Sequence, residues 1–106
     1  MITVFLLDDH SLVRVGYRLI LQQHLDISVI GEGQSGEEGL KQIRLLKPDI
    51  VLCDLHMPGI SGLEITERLH KANSPSKVII VSVQQDGPMP KKLMDAGACG
   101  YLGKAC

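Results

Sequence analysis

The sequence holds no CxxC pair, no polybasic tract and no apolar run near the roughly 20 residues that a membrane-spanning helix requires. Each absence narrows the field. Three cysteines at irregular spacings (Cys53, Cys99, Cys106) make neither a disulfide framework nor a zinc-ligand pattern. A formal net charge of -1 leaves no electrostatic footprint for direct binding of nucleic acid by this segment. Met1 leads straight into apolar residues without a basic leader, so the expected location is the cytosol, away from any membrane. Repeats and low-complexity segments are absent too. None of the four histidines pairs with another at a spacing of four on one helix, which removes the commonest helical metal motif.

What is present is acid at the ends of greasy runs. Ile2 to Leu7 runs into Asp8 and Asp9, and Ile50-Val51-Leu52-Cys53 ends at Asp54 before His56-Met57-Pro58-Gly59. A short, wholly apolar run bounded by polar turns suits a strand buried on both faces, as in a parallel sheet. Such sheets collect their functional groups at the carboxyl edge. Three carboxylates are therefore expected in one small pocket, where they repel one another unless a cation lies among them. The expected cation is Mg2+, which needs only one or two protein carboxylates and retains several waters.

At 106 residues and 44% hydrophobic composition, the chain fits one domain with a core of its own. Strand-like and helix-like segments alternate throughout, the pattern of a doubly wound α/β fold. Strands are expected at Ile2 to Leu7, Ile27 to Gly31, Ile50 to Cys53, Val78 to Val83 and Gly100 to Leu102. Helical spacing relates Leu12, Val15, Leu19 and Ile20, then Leu40, Ile43 and Leu45 or Leu46, then Leu63, Ile65 and Leu69. Ser11, Ser35 (followed by Glu37 and Glu38) and Ser61 are the start signals of these three helices. Pro88 and Pro90 delay the fourth, which should be short, from about Pro90 to Ala96, and end at Gly97. Gly31-Glu32-Gly33-Gln34 reads as a strand-to-helix loop. Five strands with four helices leave one sheet face a helix short. The expectation is an apolar strip there, covered by chain beyond Cys106 or by another molecule.

With Asp8-Asp9, Asp54 in DLHMPG, Ser82 closing the fourth strand, Tyr101 in GYL and Lys104 just beyond the fifth, the chain resembles the receiver domain of two-component response regulators. The resemblance runs from Ile2 to Lys104. LLDDHSLVRVGYRLIL, VIGEGQSGEEGL and DAGACGYLGKA are similar to the NarL/FixJ class, and Pro88-Met89-Pro90 before LMDAGACGYL to its global activators of the GacA/UvrY kind. It implies a flavodoxin-like sheet of order 2-1-3-4-5, cut before its final helix, in a 1–106 receiver domain whose C-terminal helix-turn-helix domain is not in this sequence.

The resemblance also implies roles. Asp54 is the phosphoacceptor, taking a phosphoryl group from a sensor histidine kinase or a phosphotransfer domain. Asp9 binds magnesium directly, Asp8 through water, and His56 through its backbone carbonyl, with its imidazole exposed. Lys104 pairs with a phosphoryl oxygen, and Ser82 donates its hydroxyl to another and draws the following loop inward. Tyr101 is the second half of the switch, in a chain with few other aromatic residues; the plainer reading makes it an edge-strand core residue. The domain would catalyse its own phosphorylation and dephosphorylation without being an enzyme in the usual sense. The fourth helix and fifth strand would form the output face, controlling dimerisation or release of a DNA-binding domain, so that DNA is met only through the absent segment.

Two other classes compete. A phosphatase of the haloacid-dehalogenase type also uses an aspartate nucleophile, magnesium, a hydroxyl and a lysine, but it wants a second acid two residues after the nucleophile, where this chain has His56. A flavodoxin-like cofactor module wants hydroxyls and amides after the first strand, where Asp8 and Asp9 would repel a phosphate.

Overall fold

The computed structural model describes residues 1–82 and 90–103. Strands β1 (Ile2–Leu7), β2 (Ile27–Gly33), β3 (Ile50–Asp54), β4 (Lys77–Ser82) and β5 (Gly100–Gly103) form one parallel sheet of order β2-β1-β3-β4-β5. Helices α1 (Ser11–Leu21), α2 (Gly36–Leu46), α3 (Gly62–Lys71) and α4 (Lys91–Ala96) connect them. The doubly wound architecture and the strand order expected from the sequence are both present.

The central strands are apolar because both of their faces are covered. Phe5, Leu6, Leu7, Val51, Cys53 and Ile80 are fully buried. On one face, Phe5, Leu7, Val51, Cys53, Val78 and Ile80 pack with Leu40 and Ile43 of α2, Ile65 and Leu69 of α3, and Leu93 of α4. Phe5 is the largest buried side chain, and its truncation to alanine would cost about 3 to 5 kcal/mol. Of the alternatives at the end of α2, Leu45 faces solvent, whereas a methyl of Leu46 lies over Gly31.

The other face is thinner. Among the helices of the described residues α1 covers it, and no residue of α1 is buried: Leu12 is 81% exposed, and Val15, Leu19 and Ile20 are each at least half exposed. The exposed apolar residues therefore lie on α1 itself, while Leu6 and Val81 of the sheet are buried.

Several boundaries move. β2 runs to Gly33, so the segment Gly31-Glu32-Gly33 is strand and not loop; its pairing with β1 skips Ile30 between Val29 and Gly31. Glycine is required there by space: a Cβ on Gly31 would stand 2.8 Å from the ring of Phe5. β4 begins at Lys77, Val83 lies outside the described residues, and β5 reaches Gly103. Ser11 is the first helical residue of α1, with His10 at the cap position, because Asp8 already accepts from the His10 amide at 2.9 Å. Ser35 does cap α2, though its hydroxyl makes no cap hydrogen bond, and Glu37 and Glu38 place negative charge at the helix start. Ser61 behaves as expected, its Oγ accepting from the Glu64 amide at 3.2 Å. α4 is a six-residue helix with Pro90 at its start, and Gly97 closes it in the left-handed region at φ 106°.

Candidate functional site

Main-chain pairing past the ends of the strands builds the acidic edge. The Asp8 amide donates to the Gly33 carbonyl at 3.1 Å, carrying the β1–β2 ladder one residue beyond Leu7. Asp54 is the last residue of β3, opposite Val81, and the next amide, Leu55, donates to the Val81 carbonyl at 3.0 Å. Asp8 thus directly follows β1, Asp54 ends the neighbouring β3, and the two are 2% and 4% exposed. The loop of residues 55–61 folds back so that the Gly62 amide donates to the Leu55 carbonyl at 3.0 Å. Inside that loop the His56 amide donates to Asp54 Oδ1 at 3.2 Å, which orients the carboxylate.

Ligand atoms of Asp8, Asp9, His10 and Asp54 all lie within 4.8 Å of one another. Asp9 is the most open of the three carboxylates, its side chain 29% exposed. His10 Nδ1 stands 3.2 Å from Asp8 Oδ1 and 3.1 Å from Asp9 Oδ1, with the ring mostly in solvent. Sequence reasoning had set His10 aside; its position next to the acid pair was the available signal. Three carboxylates on a half-buried edge are a hard oxygen donor set, and that chemistry fits magnesium, which takes few protein carboxylates and fills its remaining positions with water or phosphate oxygens.

Ser82 ends β4 opposite Gly103 of β5 and is buried. Tyr101 pairs with Ile80 and packs, partly buried, against the core that includes Leu93. The ring of His56 is exposed, as expected. Lys104 lies outside the described residues. Cys53, directly before Asp54, is inert: burial pushes its thiol pKa up, and the nearby carboxylates of Asp54 and Asp8 push it further.

One group behind this edge escaped the sequence reading. Glu32, two residues into the supposed loop, accepts from Arg14 Nε at 3.0 Å and from Arg18 Nε at 2.6 Å. Burial raises the Glu32 pKa, but hydrogen bonds and charge from Arg18 and Arg14 outweigh it and hold the carboxyl below its ordinary value. Arg14 and Arg18 share a helix face at a spacing of four, and that was the legible half of the signal. A cleft of about 300 Å3 lies elsewhere, at the amino end of β4 among Thr66, His70, Asn73 and Cys99; among the described residues no carboxylate lines it.

Comparison with known proteins agrees with this geometry. Residues 4–106 match the model of the response regulator receiver domain family. Over 104 residues the chain is 47% identical to the response regulator GacA of Pseudomonas viridiflava, covering 98% of this chain and 49% of that protein. It is 46% identical to the response regulator UvrY of Escherichia coli K12, covering 98% of this chain and 48% of the relative. The chain therefore spans about half the length of the curated relatives it matches. Among solved structures, the signal receiver domain of the putative response regulator NarL from Mycobacterium tuberculosis superposes with a TM-score of 0.92 at 28% identity, covering 99% of this chain and 85% of that one. The phosphatase and cofactor-module readings gain no support from any of these matches. A parallel sheet of this order with its acids gathered at one edge, matched along nearly its whole length, belongs to the response regulator receiver domain family.

Proposed function

We propose that this domain is a phosphorylation-dependent switch in which Asp54 accepts a phosphoryl group from the phosphohistidine of a sensor kinase or a phosphotransfer domain. The observation that carries the reading is the convergence of Asp8, Asp9 and Asp54 at one sheet edge, with Asp54 held by the His56 amide. An oxygen of Asp54 attacks phosphorus, the bond from phosphorus to the donor's imidazole nitrogen breaks, and the imidazole leaves while an acyl phosphate forms. Asp9, Asp54 and the His56 carbonyl would hold Mg2+, with Asp8 reaching it through water. The ion's charge would offset that of the phosphoryl oxygens. Lys104 receives one of those oxygens and the Ser82 hydroxyl another.

Phosphorylation brings about -1.5 to -2 of charge and three acceptor oxygens to this edge. Drawing Ser82 inward shifts an existing equilibrium in which Tyr101 repacks, so the α4–β5 face changes shape. Within a longer protein, that face would control dimerisation and a helix-turn-helix DNA-binding domain, and so transcription in the cytoplasm. The lengths of the curated relatives support a further domain. The same reading assigns the exposed stripe of α1 to a final helix outside these 106 residues.

Incubation with Mg2+ and a small phosphodonor, followed by intact-mass measurement, tests the proposal. Wild type should gain one phosphate and Asp54→Ala none. Equal labelling of both would overturn it.

A further inference from the structure

The peptide that carries Asp8 is gripped from two sides. Its N–H is tied to the Gly33 carbonyl at 3.1 Å, and its carbonyl accepts from Arg14 Nη1 at 2.5 Å. Arg14 is 14% exposed and is itself anchored, since its Nε donates to Glu32 Oε1 at 3.0 Å. Glu32 lies in β2, opposite Leu6 in the register, one residue before the Gly33 that holds the Asp8 amide. One guanidinium therefore spans α1, the end of β2 and the turn out of β1. Arg18 binds the same Glu32 carboxylate through Nε and Nη2, whereas the hydrogen bond to the Asp8 carbonyl comes from Arg14.

We propose that Arg14 is a positioning residue for the metal site: it sets the Asp8 carbonyl, and through it the path of the Asp8-Asp9 backbone. This rests on the reading of the acidic edge as a magnesium site. The planar fork of arginine suits the task, because it serves two acceptors in fixed relative directions, whereas lysine has one compact charge. Groups that orient metal ligands from behind commonly carry a 10- to 100-fold effect on affinity when removed. The electrostatic expectation has the opposite sign. Deleting a cation near a cation site should by itself tighten binding, so a loss of affinity on removing Arg14 would report geometry and not charge.

The arginines on either side of Glu32 form a matched pair of tests. Uniformly 15N-labelled wild type, Arg14→Met, Arg14→Lys and Arg18→Met are titrated with MgCl2, following the amide shifts of residues 8–10 and 54–56. The expected result is about tenfold weaker binding for Arg14→Met, a smaller but clear loss for Arg14→Lys, and a change within about twofold for Arg18→Met. Arg18→Met removes a comparable ion pair, so thermal melts of the two methionine variants show whether they are equally destabilised. Unchanged affinity in Arg14→Met, or equal losses in Arg14→Met and Arg18→Met, would overturn the proposal. Wild-type amides that stay still in MgCl2 would instead overturn the metal-site reading, and the inference with it.

Discussion

Gly62 lies so close beneath Asp54 that a Cβ added to it would stand 2.4 Å from the Asp54 carbonyl oxygen and 2.9 Å from the Leu55 Cα. The contact joins the first residue of α3 to the last residue of β3, through backbone atoms that cannot turn aside. Gly62→Ala should therefore displace the 55–61 loop. The expected outcome is a loss of about 1 to 3 kcal/mol in chemical denaturation, together with slower phosphate incorporation in the intact-mass assay, because the His56 amide no longer meets Asp54.

Acid should weaken the domain through Glu32. Its folded pKa is lowered below the ordinary 4.5, so the ionised form is favoured in the native state; the resulting stability is present above that ordinary value and is lost as pH falls through the folded pKa. Glu32→Gln should thus be less stable than wild type at pH 7 by about 1 kcal/mol or less, as befits a partly exposed cluster. The gap should close as pH falls below the ordinary 4.5. Asp49, also held low by the Thr3 amide and hydroxyl, titrates in both proteins and cancels in the difference. Urea midpoints across that range provide the measurement, and a gap constant with pH would contradict the assignment.

The cysteines should separate cleanly. In a Cys106→Ser background, a thiol reagent should label exposed Cys99 at once and reach buried Cys53 only after unfolding in guanidinium. Rapid native labelling of Cys53 would mean that the β3 end opens far more readily than its packing implies.

Chelation should act on the chemistry and leave the fold alone. EDTA is expected to abolish phosphate incorporation while the far-ultraviolet circular dichroism of the domain stays unchanged, since the sheet is held by its apolar core and not by the acidic edge. Retained labelling in EDTA would remove the metal from the mechanism.

Much of this was legible before any coordinates. The runs ending in Asp8-Asp9 and in Asp54 are apolar at every position, and only a strand buried on both faces accommodates that; β1 and β3 lie side by side as a consequence. The short fourth helix followed from Pro90 and Gly97 by local backbone chemistry alone. The Gly31-Glu32-Gly33 segment misled because glycine's local preference favours a turn. What overrides it is the Phe5 ring packed against Gly31, contributed by a residue far away in the chain. For the same reason Glu32 looked like a solvated loop acid, although two arginines from α1 converge on it.

The order of residue types along the chain was sufficient for the alternation of strands and helices, for which strands are central, and for the acids that stand at strand ends, because periodicity and chain punctuation act locally. Tertiary structure alone decided that His10 leans over both neighbouring carboxylates, that Gly62 must be bare beneath Asp54, and that Arg14 links Glu32 to the Asp8 carbonyl. Those relationships join groups across separate elements, and their distances follow from how helices settle on the sheet, which no local preference encodes.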